Sequence, residues 1–286
     1  MTPLAISIHP DAKAFLAAAG EMLYARETVN NLILGVSERL ASDPQAYENP
    51  FFATVSDDSA IWLAAVMTPP HNLILAGEAL TEKGFPILID HLKTHSIPVP
   101  GVIALAEIAE GFTGAWAQQV GDSAKVNMHM RVYELRHVQM PDCPQGSFKA
   151  AGTVEIPTIA RWMQAFELEA LGKIHDLDLP RAERLVSAGN VFTWVVDDTV
   201  VSMALKNRPI AHSITVGGVY TPPEHRRQGY AGVLVATLSQ HLVDEGYQFI
   251  NLFTDLENPT SNKIYQAVGY HPVCDFWAYR FTPPDG

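Results

Sequence analysis

The alternation of apolar and polar positions changes period repeatedly along the chain. Short apolar runs with β-branched residues are followed by stripes spaced three and four apart, the marks of strands and helices in turn. The stretch PFFATVSDDSAIWLA (50–64) reads as two strands joined by a turn at Asp57-Asp58, and NVFTWVVDDTVVSMA (190–204) as two strands joined at Asp197-Asp198. The stretch IPTIARWMQAFELEAL has apolar residues at 159, 162, 163, 166 and 170, which predicts a helix. Then follow the strand HSITVGGVY (212–220), a helix from about 229 to 245, the strand FINLFT (249–254), a short helix after Asn258 and a closing strand. Helices alternating with strands predict α/β (α+β) domains, helices packed on a mixed sheet.

The same anchors occur twice, in the same order. The spacing from Asp58 to Gly77 equals that from Asp198 to Gly217; WAQQVG ending at Gly121 echoes IYQAVG ending at Gly269, and each precedes a strand-like stretch, VNMHMRVYEL and VCDFWAYRF. Only the middle interval differs: Gly77 to Gly121 spans 44 residues and Gly217 to Gly269 spans 52. Two related domains are expected, residues 1–140 and 148–286, joined through the Pro- and Gly-bearing stretch 139–152.

The extra length lies around PPEHRRQGYAGVL (222–234), where a chain of net charge −12 gathers His225, Arg226 and Arg227. Ala231, Leu234, Val235, Leu238 and Leu242 form the apolar stripe of the helix that follows, and Gly246 ends it. The first N–H groups of a helix lack internal partners, and the helix dipole there favours an anion such as phosphate. Gly229 lets the backbone approach a ligand, and Ala231 and Gly232 keep the first turn slim. Gly217-Gly218, inside the preceding strand, predicts a bulge or a close backbone approach. Farther on, Asn258-Pro259 reads as a helix cap followed by proline at the first helical position, with Ser261, Ile264, Tyr265 and Val268 on one face and Gly269 as the stop.

The pattern Arg226, Gly229, Ala231 resembles the [QR]-x-x-G-x-[GA] signature of the GNAT superfamily of acyl-CoA-dependent N-acetyltransferases. Asn258, Ser261, Ile264, Tyr265, Gly269 and Tyr270 resemble that family's second motif, at the family's separation from the first. The resemblance implies acetyl-CoA as co-substrate, without a metal, held by Val219, Tyr220, Thr221, Arg226, Arg227, Gln228, Gly229, Tyr230, Ala231, Gly232, Asn258 and Ser261. It nominates Tyr265 as the proton donor to the departing thiolate. For the base that takes the amine proton, Glu167, Glu169 and His212 are open, with Glu169 preferred. Ala117 takes the place of Tyr265 in the first copy, and GEALTEKGFPILIDHL (77–92) replaces the arginine-glycine loop, so that copy is expected to be degenerate and non-binding. A longer acyl donor, or an acyl-CoA-binding regulatory protein without catalysis, are the alternatives.

Bulk composition narrows the partners. An acidic chain is a poor partner for nucleic acid or anionic lipid, and no apolar run approaches membrane-spanning length. Two distant cysteines, Cys143 and Cys274, and an N-terminus without signal-peptide character lead to the expectation of a cytoplasmic protein. A small-molecule amine is the expected acceptor, and a second copy of the chain a candidate partner.

Overall fold

The computed structural model describes residues 3–78, 81–172 and 176–283. It divides into two compact units, one of residues 1–132 with 273–286 and one of residues 133–272. In chain order the first copy runs β1 (Ala5–Ile8), α1 (Ala12–Tyr24), α2 (Asn31–Ser42), β2 (Phe51–Ser56), β3 (Ile61–Met67), β4 (Leu73–Gly77), α3 (Phe85–Thr94), β5 (Gly101–Leu105), α4 (Ala106–Val120) and β6 (Ser123–Leu135). The second runs β7 (Ser147–Ala150), α5 (Ile156–Leu171), α6 (Leu179–Ser187), β8 (Val191–Val196), β9 (Thr199–Asn207), β10 (Ser213–Tyr220), α7 (Tyr230–Asp244), β11 (Phe249–Asp255), α8 (Pro259–Val268) and β12 (His271–Thr282). The order of elements is the same in both, which carries the sequence repeat into the fold.

Pairing repeats as well. From β1 to β4 and from β7 to β10 the strands are antiparallel neighbours, and β4/β5 and β10/β11 are the parallel pairs. The closing strands do not divide as the copies do: β12 belongs to the first unit from Val273 onward, and β6 belongs to the first unit up to Val132 and to the second from Tyr133. In the first unit the order is β1-β2-β3-β4-β5-β12-β6, with Phe276 of β12 opposite Leu105 of β5. In the second it is β11-β10-β9-β8-β7, with the end of β6 beside β11. The expected join at 139–152 separates two stretches of similar sequence; the first compact unit holds most of β12 as well as most of β6, and the second takes only the end of β6.

In the second unit the sheet is covered on both faces, and its middle strands are accordingly apolar on both sides rather than alternating. One face packs Leu234, Leu238 and Leu242 of α7 with Tyr265 and Val268 of α8 on Phe192, Ile214 and Ile250. The other packs Ile159 and Met163 of α5 with Ala182 and Val186 of α6 on Met203, Leu205 and Tyr220.

Differences from the sequence expectations are local. The two Asp-Asp turns are built differently: Asp197 and Asp198 both have positive φ and form a two-residue loop between paired Val196 and Thr199, as a hairpin's right-handed twist requires. Asp57 instead opens a longer loop, its carboxylate accepting from the Ser59 amide and hydroxyl and the Ala60 amide, which holds its pKa down at about 2. Strand β7 falls inside the stretch expected to be a linker; its four residues are mostly exposed and carry no long apolar pattern. Helix α6 is a further element outside the sequence expectations, capped by Asp178 accepting from the Arg181 amide and burying Ala182 and Val186. Among the described residues no helix is long and apolar enough to cross a membrane.

Candidate functional site

The site is built where β10 and β11 part. They pair only from Ser213 opposite Phe249 to Thr215 opposite Asn251, although β10 continues to Tyr220 and β11 to Asp255. On its other side β10 slips register against β9 between Gly217 and Tyr220, the bulge that the two glycines predict. Gly218 has φ +57, and a Cβ there would stand 2.6 Å from Cδ1 of Leu205. Only glycine fits without displacing that leucine. Past the bulge, Tyr220 is buried and Thr221 is anchored, its hydroxyl 2.8 Å from that of Ser202. Val219 is half-buried and packs on the core beneath α7 and α8.

From Thr221 the chain makes a 3₁₀ turn at Pro223–His225 and enters the loop before α7. Arg227 has φ +63 and Gly229 φ +83. A left-handed arginine costs roughly 1 kcal/mol, and such strain is typical of loops that serve a ligand. Gly229 is the N-cap of α7 and supplies no side-chain cap, so the first-turn amides are left for another acceptor. A Cβ at Gly229 would meet only Pro144, 3.9 Å away, and one at Gly232 only Ile264, 3.8 Å away. The mouth of the helix is therefore a backbone cradle with room above it. Tyr230 turns its ring into the core and its hydroxyl to Gln228 at 3.0 Å, leaving main-chain atoms to face the loop. Ala231 opens the same turn beside it.

The two arginines differ. Arg226 is held by protein: Nε donates to the Thr221 carbonyl at 2.8 Å, Nη2 to Glu169 Oε2 at 2.7 Å, and the guanidinium lies 5.7 Å from the Tyr220 ring centre. Glu169 Oε1 accepts from the Tyr220 hydroxyl at 3.3 Å, so both of its oxygens are engaged. Burial pushes the Tyr220 phenol up, and the Glu169 charge adds to it. Arg227 is exposed on the loop. Of the other base candidates, Glu167 pairs with Arg181 at 2.5 Å, and His212 lies just before β10, its carbonyl accepting from the Gln248 amide.

Helix α8 completes the arrangement. Asn258 caps it by accepting from the Ser261 amide at 3.0 Å, and Gly269 ends it at φ +106. Ile264 approaches Gly232, so α8 packs beside the first turn of α7. The next residue, Tyr265, is buried in the core with its ring edge-on to Tyr270. Burial pushes its phenol up to about 12, and a hydrogen bond with the Ser261 side chain opposes that rise. The sequence reading missed a fixed network at the back of α8, in which the Tyr133 hydroxyl donates to Asn262 Oδ1 and accepts from Gln266 Nε2, both at 3.0 Å.

The second copy thus holds a parted parallel pair, a strand bulge and an uncapped helix mouth beside a tyrosine-bearing helix. Residues 208–280, which hold all of these features, match the family model described as FR47-like protein. A GCN5-related N-acetyltransferase from Sphaerobacter thermophilus shares the fold over 100% of this chain and 98% of its own, with a TM-score of 0.64 at 14% identity. A tandem GNAT protein from the clavulanic acid biosynthesis pathway does so over 99% and 100%, with a TM-score of 0.57 at 12% identity. This is a tandem GNAT fold. A Drosophila protein is similar over 98% of this chain and 99% of its own, with a TM-score of 0.69 at 13% identity. No curated protein matches the chain. The GNAT likeness spans both copies, whereas the family model covers only the second.

The first copy builds the same place differently. Its β4 and β5 also pair briefly, Leu73 with Val102 and Ile74 with Ile103. There the buried Thr81 side chain stands against Gly77, with its hydroxyl on the Trp62 carbonyl at 3.1 Å. Helix α3 has proline in its first turn, Pro86, where α7 has Ala231. Proline removes one of the amides that a helix mouth offers. Helix α4 ends at left-handed Gly121 as α8 ends at Gly269, and Ala117 stands where α8 has Tyr265. Ala79 and Leu80 of the replacement loop lie outside the described residues.

Proposed function

We propose that the second unit transfers an acetyl group from acetyl-CoA to the amine of a small molecule, by direct attack of the amine on the thioester. The observation that carries this reading is the uncapped mouth of α7 at Gly229, following the strand that parts from β11 and lying beside α8. The amides of Gly229, Tyr230, Ala231 and Gly232 would hold the pyrophosphate, with Gln228 and the exposed Arg227 adding polar contact and charge. The main chain of Val219, Tyr220 and Thr221, freed from β11, would accept and donate along the pantetheine arm. Arg226 acts indirectly, bracing Thr221 and the loop through its bonds to Thr221 and Glu169. Asn258 and Ser261 set the start of α8 and the environment of the Tyr265 phenol.

Tyr265 is the group for the leaving thiolate. Handing its proton over completely, from a phenol at about 12 to a thiol near 8.5, is uphill by roughly 5 kcal/mol. Tyr265 therefore works chiefly as a hydrogen-bond donor that stabilises charge developing on sulfur. Glu169, with both oxygens occupied and an arginine beside it, is better suited to fixing Arg226 than to accepting a proton. The amine proton then leaves to solvent. The first unit, with Thr81 against Gly77, Pro86 in the first turn of α3 and Ala117 in place of a tyrosine, is read as a copy that no longer binds.

The test is release of CoA from acetyl-CoA across a panel of primary amines. At least one amine should give turnover that Tyr265→Phe lowers about a hundredfold. Clear acetyl-CoA binding with no turnover on any amine would favour a non-catalytic acyl-CoA sensor.

A further inference from the structure

The first copy ends inside the second unit. Strand β6 is the last element of the N-terminal half, yet its residues from Tyr133 onward belong to the unit that carries the candidate site. Tyr133 is fully buried there, and its hydroxyl is the only polar part of a large apolar side chain. A buried phenol normally meets a partner. This one meets two on the same helix, donating to Asn262 and accepting from Gln266. Those residues are four apart, so they lie on one face of α8. Asn262 in turn donates to the carbonyl of Asp255, at the end of β11, at 3.0 Å, and to that of Asn258, at the cap, at 2.7 Å.

We infer that Tyr133 is a positioning residue for Tyr265, fixing the roll of α8 about its axis; the inference rests on the role proposed above for Tyr265. Helix α8 has ten residues, too few to be stable in isolation, so its placement depends on what it touches. Its apolar contacts, through Ile264, Tyr265 and Val268, are non-directional and tolerate a small rotation. Hydrogen bonds to Asn262 and Gln266 do not. With side-chain ends about 5 to 6 Å from a helix axis, a roll of about 10° moves the Tyr265 hydroxyl by about 1 Å, enough to weaken a catalytic contact strongly. The two tyrosine rings also lie 6.5 Å apart between centres, so loosening one disturbs the packing of the other. The end of β6 thereby gives the N-terminal copy a role in the site even without binding anything itself.

The experiment is a double-mutant cycle on the full chain, using acetyl-CoA and the best amine from the panel, with hydrogen exchange of α8 measured alongside. Tyr133→Phe should lower kcat about tenfold with KM for acetyl-CoA within about twofold, and should speed amide exchange in residues 260–268 while α7 is unaffected. In the Tyr265→Phe background the same change should cost no further turnover, because the group it positions is gone. Gln266→Ala removes one of the same bonds from an exposed residue and should act in the same direction, which covers the case in which Tyr133→Phe folds poorly. Losses that multiply in the double variant, or unchanged exchange in α8, overturn the inference. Full turnover in Tyr265→Phe alone overturns the role of Tyr265 first, and the positioning claim falls with it.

Discussion

The Arg226 guanidinium is bound to the Glu169 carboxylate at 2.7 Å, across 57 positions of sequence. The loop arginine that resembles a signature residue is thus a brace, and the acid expected to serve as base is its partner. Both side chains are nearly half exposed, and pairs of that kind contribute about 1 kcal/mol or less. Glu169→Gln should therefore change acetyl-CoA affinity and turnover by less than about fivefold each at neutral pH. Steady-state kinetics would read this directly. A loss of a hundredfold or more in kcat, with the acidic limb of the pH profile removed, would return Glu169 to the role of base.

The pH profile follows from the shift at Tyr265. In the role proposed for it the protonated form is the donor, and burial raises its pKa to about 12, so that form persists from neutral pH upward and is lost only as pH passes that value. The kcat profile should rise as the amine deprotonates and then stay level to about pH 10. A descending limb between pH 8 and 10 that persists in Tyr265→Phe would place the donor elsewhere, and one that vanishes in that variant would show the phenol titrating well below 12.

Gly218 sets the bulge from which the rest of the loop departs. At φ +57, with Leu205 Cδ1 2.6 Å from the position of a Cβ, Gly218→Ala must strain the backbone and displace a buried leucine. The expected loss is about 1 to 3 kcal/mol, seen as a melting temperature lower by several degrees. An unchanged melting temperature would mean that the strand tolerates a regular pairing there.

Much of the site was legible because local chemistry encodes it. Gly229 at positive φ, the Asn258-Pro259 start of α8 and the left-handed stops at Gly121 and Gly269 are set within a few residues, and the spacing repeat carries over as a repeat of topology. What was not legible depends on partners distant in sequence. Nothing near Tyr133 indicates that its hydroxyl will meet Asn262 and Gln266, nor does anything near Arg226 point to Glu169. The placement of β12 and of the end of β6 is invisible for the same reason: each strand has the pattern of a closing strand, and pattern does not say which sheet it closes. Strand β7 was hidden because a short, exposed edge needs little apolar content.

The central claim is that main-chain amides at Gly229 hold a pyrophosphate in the second copy and that the first copy has lost the equivalent place. Titration calorimetry with acetyl-CoA tests it most directly. The account predicts one molecule bound per chain, and binding abolished in Gly229→Glu, which places a carboxylate at the cradle and a side chain at φ +83. Two bound per chain, or undiminished binding in the variant, would contradict it.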